Sequence, residues 1–170
     1  PKLPVATSPD GRNTISLSLN PLSYEVSRDG VSVVGKTEIG MKINGKSIAK
    51  DAVIKDITAE MLSGCVKTPV YKKAKVCLKG NKTFVDFGDW GISLVARNDG
   101  VAYRFETKME GSIKVDCEKA ALNIPDASAT CWCNFSNRFG CEETVAQTLK
   151  ASDVVTDGKG RKFIYLPFVY

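Results

Sequence analysis

RNDGVAYRF, residues 97–105, predicts a β-strand that leaves a tight turn. The turn residues, NDG at 98–100, are types that tolerate positive φ and hydrogen-bond their own backbone. Residues 101–105 then alternate large apolar side chains with short or charged ones. Upstream, GISLVA at 91–96 has the same period of two. The two runs together therefore predict a β-hairpin.

Short alternating runs recur along the whole chain, and turn signals separate them. TISLSL at 14–19 alternates without a fault, and Asp29-Gly30 and Asn44-Gly45 indicate two further hairpin turns. Residues 58–62 form the one short segment with helical propensity, enough for a single turn of helix. The pattern predicts an all-β fold, an antiparallel β-sandwich with little or no helix, as a single domain over residues 1–170.

Length and composition exclude several classes of protein. The chain has 170 residues and a mass of 18.4 kDa, whereas a (β/α)8 barrel needs roughly 250 residues. Hydrophobic residues make up 43% and charged residues 25%, which is ordinary for a globular domain. No run approaches the roughly 18 apolar residues of a membrane helix, so no membrane span is expected.

Histidine does not occur in this sequence. This excludes Ser-His-Asp and Cys-His catalysis, histidine general bases and zinc sites that use histidine. Any chemistry must use carboxylates, lysines, tyrosines or thiols.

Six cysteines favour disulfides and an oxidising compartment. The chain opens on Pro1 with neither Met nor a signal peptide, as expected of an exported protein whose leader has been removed, in the periplasm or outside the cell.

In Cys131-Trp132-Cys133 the strand period puts both thiols on one face, so disulfides or buried thiols are favoured over zinc. Cys65 with Cys77 is one candidate bridge, and Cys117 and Cys141 are candidate partners for the other pair. The sequence leaves the connectivity open. The candidate disulfide residues are Cys65, Cys77, Cys117, Cys131, Cys133 and Cys141.

The most basic stretch runs from residue 71 to residue 82. Nucleic-acid-binding proteins interleave such charges with exposed aromatic residues or carry motifs that this chain lacks. A solvated strand that lysines protect from edge pairing explains the same residues better. No nucleic-acid partner is expected.

DFGDWG, residues 86–91, combines carboxylates with aromatic rings. These are the materials of a carbohydrate platform, in which Asp89 and Trp90 would wall a substrate pocket. The competing interpretation places Phe87 in the core and Asp86 and Asp89 in a turn, and it is favoured.

Several motifs, in order along the chain, resemble the N-terminal β-sandwich domain of glycoside hydrolase family 97, whose full-length members are α-glucosidases and α-galactosidases. The similarity begins near residue 8 and runs to the end of the chain. It is carried by SPDG (8–11), LSYEV (22–26), TEIGM (37–41), TPVYKK (68–73) and, most specifically, NDGVAYRF (98–105).

The resemblance implies a fold, a partner and a metal. The fold would be a galactose-mutarotase-like super-sandwich that packs on a catalytic barrel of the same polypeptide, in an exported, bacterial enzyme acting on α-linked oligosaccharide. In the family this domain lends a glutamate to a calcium ion beside the catalytic site. VDCE at 115–118 matches the acidic segment in question and makes Glu118 the expected ligand, while Glu142 matches a second family segment and is a candidate for the pocket wall.

Two functions follow from these observations. The leading hypothesis is a non-catalytic accessory domain of an exported α-glycosidase, without hydrolase activity of its own, because the family's catalytic carboxylates lie on the barrel. The alternative is a stand-alone secreted β-sandwich that binds a glycan or a protein, in which Trp90 and Trp132 would matter most.

Overall fold

A computed structural model describes residues 3–50, 52–70, 72–133, 135–136, 145–154, 163–164 and 169–170. Its contacts divide the chain into two compact units, Pro1–Asn123 and Ile124–Tyr170. Strands dominate both units, and the one helical element among the described residues is a short 3-10 turn, Ala151–Val154. The prediction of an all-β fold with little or no helix is confirmed, whereas the single domain over residues 1–170 stays a prediction.

The first sheet contains four consecutive antiparallel strands in the order β1-β2-β3-β4. Asp29 and Gly30, with φ values of 51° and 81°, form the β3–β4 turn, which is the left-handed geometry that a tight hairpin requires. This predicted hairpin is confirmed. The strands are β1 (Val5–Thr7), β2 (Asn13–Ser18), β3 (Ser23–Arg28) and β4 (Val31–Glu38).

A second hairpin follows, formed by β5 (Gly40–Ile43) and β6 (Lys46–Ser47). Its turn residues Asn44 and Gly45 have φ values of 50° and 79°, so this prediction is also confirmed.

The second large sheet has the antiparallel order β10-β9-β8-β7. Its strands are β7 (Asp56–Lys67), β8 (Lys75–Asp86), β9 (Trp90–Arg97) and β10 (Gly100–Thr107). The hairpin predicted from residues 91–105 is present as β9 and β10, with Arg97 paired to Gly100. None of the residues 98–100 has positive φ, so this turn does not use the tolerance of its residue types for left-handed backbone.

The helical propensity of residues 58–62 is overridden, because these residues belong to strand β7 and pair with β8. Helix propensity is a weak local preference, and a full ladder of strand hydrogen bonds outweighs it. Beyond β9 the β7–β8 hairpin continues alone: β9 pairs only with residues 81–86 of β8, whereas β7 pairs down to Lys75. We call residues 61–79 the arm.

The core lies between the two large sheets. Side chains of the first sheet, such as Ile15 and Leu17, pack against Val85, Ile92 and Leu94 of the second. All five are 1% exposed or less. This arrangement is a β-sandwich, as predicted.

Buried polar side chains also join the two sheets. The Asn13 side-chain amide donates to the carbonyl oxygens of Arg97 and Asn98 at 2.8 and 3.1 Å, and its Oδ1 accepts from Arg28 at 2.9 Å. Asn13 is only 5% exposed. Its hydrogen bonds therefore connect the β9–β10 turn to β2.

Strand β11 (Val115–Lys119) pairs with β5 and completes a three-stranded sheet in the order β11-β5-β6. The second unit has two small sheets. One pairs β12 (Thr130–Cys133) with β14 (Gln147–Lys150), and the other pairs β13 (Phe135–Ser136) with β15 (Phe163–Ile164). Among the described residues, none of the elements is a helix long and apolar enough to cross a membrane.

Candidate functional site

Glu118 lies on β11, an edge strand in which every residue is exposed. It pairs with Met41 of β5. The pairing of β11 with β5 shifts in register between Val115 and Cys117, which interrupts the alternation of side chains at Asp116. Beyond this irregularity the side chains alternate, so Cys117 points to the face opposite Glu118. There Cys117 lines a groove of about 570 Å³, which Leu22, Ile39 and other residues complete. The predicted calcium ligand and this groove therefore lie on opposite faces of β11.

The two carboxylates of β11, Asp116 and Glu118, differ in their hydrogen bonds and ion pairs. Asp116 accepts a hydrogen bond from the backbone N–H of Gly45 at 2.6 Å and lies 3.3 Å from the Lys114 ammonium. Among the described residues, no hydrogen bond or ion pair engages the Glu118 carboxylate. Glu118 is the carboxylate that remains available to a ligand.

Glu118 also affects a neighbouring phenol electrostatically. Burial raises the pKa of Tyr103, and the charges of Tyr24 and Glu118 raise this pKa further. The rings of Tyr24 and Tyr103 lie 5.0 Å apart.

A metal site needs several ligands. Calcium takes six to eight oxygens, and no group of three or more acidic or thiol side chains that could hold a metal occurs among the described residues. Glu118 fits the role of one ligand offered to an ion that other groups hold. It does not fit a calcium site formed by the described residues of this chain alone.

The 86–91 segment forms a turn and part of the core. Trp90 is 7% exposed and its ring stacks on Phe87 at a centroid distance of 4.2 Å. Asp86 accepts from the Gly88 N–H at 2.8 Å. The Lys108 ammonium binds Asp86 and, with that N–H, lowers the pKa of its carboxyl group. Trp90 therefore belongs to the core of this domain, whereas Asp89 is exposed, and the pocket-wall role suggested for the two residues stays a prediction.

Residue 142 lies outside the described residues, so the role suggested for Glu142 stays a prediction. Cys131 is fully buried whereas Trp132 is 54% exposed, which agrees with the predicted alternation along β12.

Cys65 and Cys77 form a disulfide across β7 and β8, joining the pair proposed from the sequence. Cys117 and Cys131 are free thiols, so the expected bridges through either residue are not formed. Cys117 is exposed on an edge strand, while Cys131 is buried. The Cys133 side chain and Cys141 lie outside the described residues.

Sequence reasoning missed a polar cluster on the outer face of the second sheet. Ser93 is 3% exposed and donates a hydrogen bond to Glu106, which also accepts from Arg104 at 2.9 Å. The hydrogen bond from Ser93 has the largest effect and that from Arg104 the next largest, and both lower the pKa of the Glu106 carboxyl group. The alternation of polar residues at 93, 104 and 106 could have revealed the cluster, because the intervening positions are the core-facing ones.

Next to this cluster lie Lys82 and Phe84. The Lys82 ammonium pairs with Glu60 at 3.2 Å and lies 6.0 Å from the Phe84 ring centroid, and Lys108 lies 5.6 Å from the same ring. Two grooves of about 480 and 540 Å³ adjoin here, and both are lined by Lys82. Ionised carboxylates, cations and a ring suit the binding of a polar partner. The low pKa of Glu106 makes it a poor general acid, which needs a raised pKa.

The fold is shared with solved glycoside hydrolases. A glycoside hydrolase family 97 enzyme from Pseudoalteromonas sp. strain K8, solved in complex with panose and with acarbose, superposes with a TM-score of 0.77 at 19% identity. The match covers 88% of this chain and 25% of that one. A β-arabinopyranosidase structure gives a TM-score of 0.66 at 18% identity over 78% of this chain and 23% of that chain. The chain thus has the β-sandwich fold of a glycoside hydrolase domain.

The sequence comparison is more specific. Residues 6–170 match the family described as Glycosyl-hydrolase 97 N-terminal, and the chain belongs to this family. A retaining alpha-galactosidase from Bacteroides thetaiotaomicron is 25% identical over 121 residues, which cover 69% of this chain and 18% of that protein. The resemblance drawn from the sequence motifs is confirmed, and the chain spans less than a fifth of the length of that relative.

Proposed function

We propose that this chain is the accessory N-terminal domain of an exported α-glycosidase, an α-galactosidase or an α-glucosidase, and that it packs on a catalytic barrel of the same polypeptide. The family match over residues 6–170 carries the proposal. The relative named as a retaining alpha-galactosidase, and the enzyme solved with panose and acarbose, support α-linked oligosaccharide as the substrate class. The Cys65–Cys77 disulfide supports an oxidising, exported location.

In this proposal Glu118 donates its carboxylate to a calcium ion beside the catalytic site. Its exposure on β11 and the lack of any competing hydrogen bond or ion pair among the described residues support the role. Calcium is a hard cation that would supply positive charge to polarise the substrate. A carboxylate oxygen of Glu118 would be one of the calcium ligands. Asp116 would fix the backbone that precedes Glu118, because it accepts a hydrogen bond from the Gly45 N–H.

The proposal includes the prediction that this chain alone hydrolyses nothing. Glycoside hydrolysis needs two carboxyl groups that flank the glycosidic bond, one of them with a raised pKa. Among the described residues, every acidic side chain whose pKa is shifted has it lowered. Release of nitrophenol from α-galactoside or α-glucoside substrates by the purified 170-residue chain would contradict this prediction.

The role of Glu118 is testable in the complete native polypeptide by a calcium titration of activity. Glu118→Gln should raise the calcium concentration for half-maximal activity by about tenfold or more, since a neutral amide is a weaker calcium ligand than a carboxylate. Glu110→Gln removes an equally exposed carboxylate elsewhere and should leave the titration unchanged. If the two variants behave alike, Glu118 does not bind the ion.

The mass of the native gene product tests the larger claim. An antibody against this domain should detect a species several times heavier than 18.4 kDa in extracts, with room for a barrel of roughly 250 residues. A native species of 18.4 kDa would overturn the proposal and would favour the alternative hypothesis, a stand-alone secreted β-sandwich that binds a glycan or a protein. That alternative is not favoured, because the family match is to a glycoside hydrolase domain and Trp90 is buried.

A further inference from the structure

The arm, residues 61–79, leaves the body of the second sheet as a two-stranded ribbon. Its strands pair from Met61↔Asn81 to Lys67↔Lys75, and on the arm side of Asn81 no third strand in the described part of the chain pairs with β8. The Cys65–Cys77 disulfide links directly opposed residues with a Cα–Cα distance of 4.0 Å. The ribbon is therefore covalently braced at a position where a sheet no longer supports it.

The two faces of the arm differ in chemistry. Register and alternation place Lys67, Lys75 and Lys79 on the face that bears the disulfide. The opposite face carries apolar side chains, namely Leu62, Val66, Val76 and Leu78. All three lysines are exposed. We call the lysine-bearing side the basic face.

The basic face brings like charges together. Lys67 and Lys75 are directly opposite one another, and like charges in that position destabilise a strand pair. Among the described residues, no acidic side chain forms an ion pair with either lysine or with Lys79. The adjacent disulfide holds this unfavourable pair in place, so the positive charge is exposed and no described residue neutralises it.

The arm also concentrates the charge of the whole protein. The chain has 24 Lys and Arg against 19 Asp and Glu. The arm contains five lysines and no acidic residue, so the remainder has 19 basic and 19 acidic residues. The net charge of +5 therefore equals the number of lysines in the arm, and the rest of the sequence is formally neutral.

We propose that the basic face of the arm binds an anionic polysaccharide, one that carries carboxylate or sulfate groups. This inference builds on the proposed function, because an exported glycosidase domain meets polysaccharide at its place of work. Lys75 and Lys79 are four residues apart on one strand, about 13 Å, which spaces charges along a line. A linear polyanion matches that spacing. A lipid bilayer fits less well, because the apolar and basic side chains lie on opposite faces and a flat surface meets only one of them.

The test is binding of the full 170-residue chain to polygalacturonate and to dextran sulfate, with neutral dextran as the blank, at two salt concentrations. The wild-type chain should bind both polyanions, and more weakly at higher salt. The triple variant Lys67→Gln, Lys75→Gln, Lys79→Gln should lose about tenfold or more in affinity, since three exposed ion pairs disappear.

A matched control separates a binding face from net charge. Lys36, Lys46 and Lys55 are exposed and form no ion pair among the described residues, and their triple change to Gln lowers the net charge by the same amount. This control should keep wild-type affinity within about twofold. Equal losses in both variants, or no binding by wild type, would overturn the proposal. So would tighter lysine-dependent binding to phosphatidylglycerol vesicles or to duplex DNA than to either polysaccharide. The calcium and native-mass experiments do not depend on these outcomes, so failure here is distinguishable from failure of the proposed function.

Discussion

Gly91→Ala is expected to destabilise the sandwich by about 2 kcal/mol. Gly91 is buried in the central strand β9, beneath the ring of Phe84 on β8. A Cβ there would lie 2.3 and 2.5 Å from two ring carbons and 2.8 Å from the carbonyl oxygen of Val85. Ordinary contacts begin near 3.4 Å, so the ring must move by about 1 Å, while the carbonyl is fixed in the ladder.

The magnitude follows from two costs. Overpacking of this kind costs about 1–3 kcal/mol. Displacing Phe84 also weakens its contacts with the Lys82 and Lys108 ammonium groups, which lie 6.0 and 5.6 Å from the ring centroid and are each worth about 0.5 kcal/mol. For a chain of this size a loss of about 2 kcal/mol lowers Tm by roughly 4–8 °C.

Urea unfolding followed by tryptophan fluorescence measures the effect. Gly100→Ala is the control, because Gly100 has no atom within 4 Å of an added Cβ and no positive φ, and it should stay within about 0.5 kcal/mol of wild type. In a Phe84→Leu background the cost of Gly91→Ala should fall, since the ring that collides has gone. A stable Gly91→Ala variant, or an equal cost in both backgrounds, would refute the argument.

Three further predictions concern polar groups and the disulfide. Asn13→Ala should cost about 2–3 kcal/mol in urea unfolding, because two carbonyl oxygens and the Arg28 guanidinium lose their partner, whereas Ser16→Ala on the same strand should be nearly neutral. Ser93→Ala should raise the pKa of Glu106 towards its ordinary value of 4.5 and cost about 1–2 kcal/mol at neutral pH. The Glu106 pKa is lowered on folding, so this stabilisation is present above about pH 4.5 and disappears as the pH falls through the folded pKa; a cost that persists unchanged at pH 3 would show that the charge is not involved. The double change Cys65→Ser, Cys77→Ser removes a cross-link of sequence separation 12, worth about 3 kcal/mol in the chain-entropy estimate, so trypsin should cut after Lys67 and Lys79 about 100-fold faster while the Tm of the sandwich barely moves. A large fall in Tm would instead mean that the arm and the sandwich unfold together.

Local patterns predicted most of the strands and turns of the first unit. Asp29-Gly30 and Asn44-Gly45 predicted their hairpins because left-handed backbone is a property of those residue types. Alternation of apolar and polar residues with a period of two predicted β2, β9 and β10, because a strand must present one apolar face to a core. The NDGVAYRF stretch also identified the family, which the match over residues 6–170 confirms.

Tertiary pairing decided what local preference could not. Residues 58–62 favour helix slightly, yet β8 supplies a complete ladder and makes them strand. The Phe87–Trp90 stack similarly places in the core two rings that the sequence also allowed on a carbohydrate platform, although it favoured the core for Phe87.

By itself, the sequence determined the fold class, the family, the exclusion of histidine chemistry and the presence of a lysine-rich stretch, because each depends on residue type and short-range order. Only the tertiary structure decided where those lysines point and which carboxylate is free. Lys67 faces Lys75. Among the described residues, Asp116 has a hydrogen-bond partner 71 positions away in sequence, whereas the Glu118 carboxylate has no hydrogen bond or ion pair. Side-chain engagement is a property of neighbours in space, and such long-range neighbours are set by strand register, which a single sequence does not display.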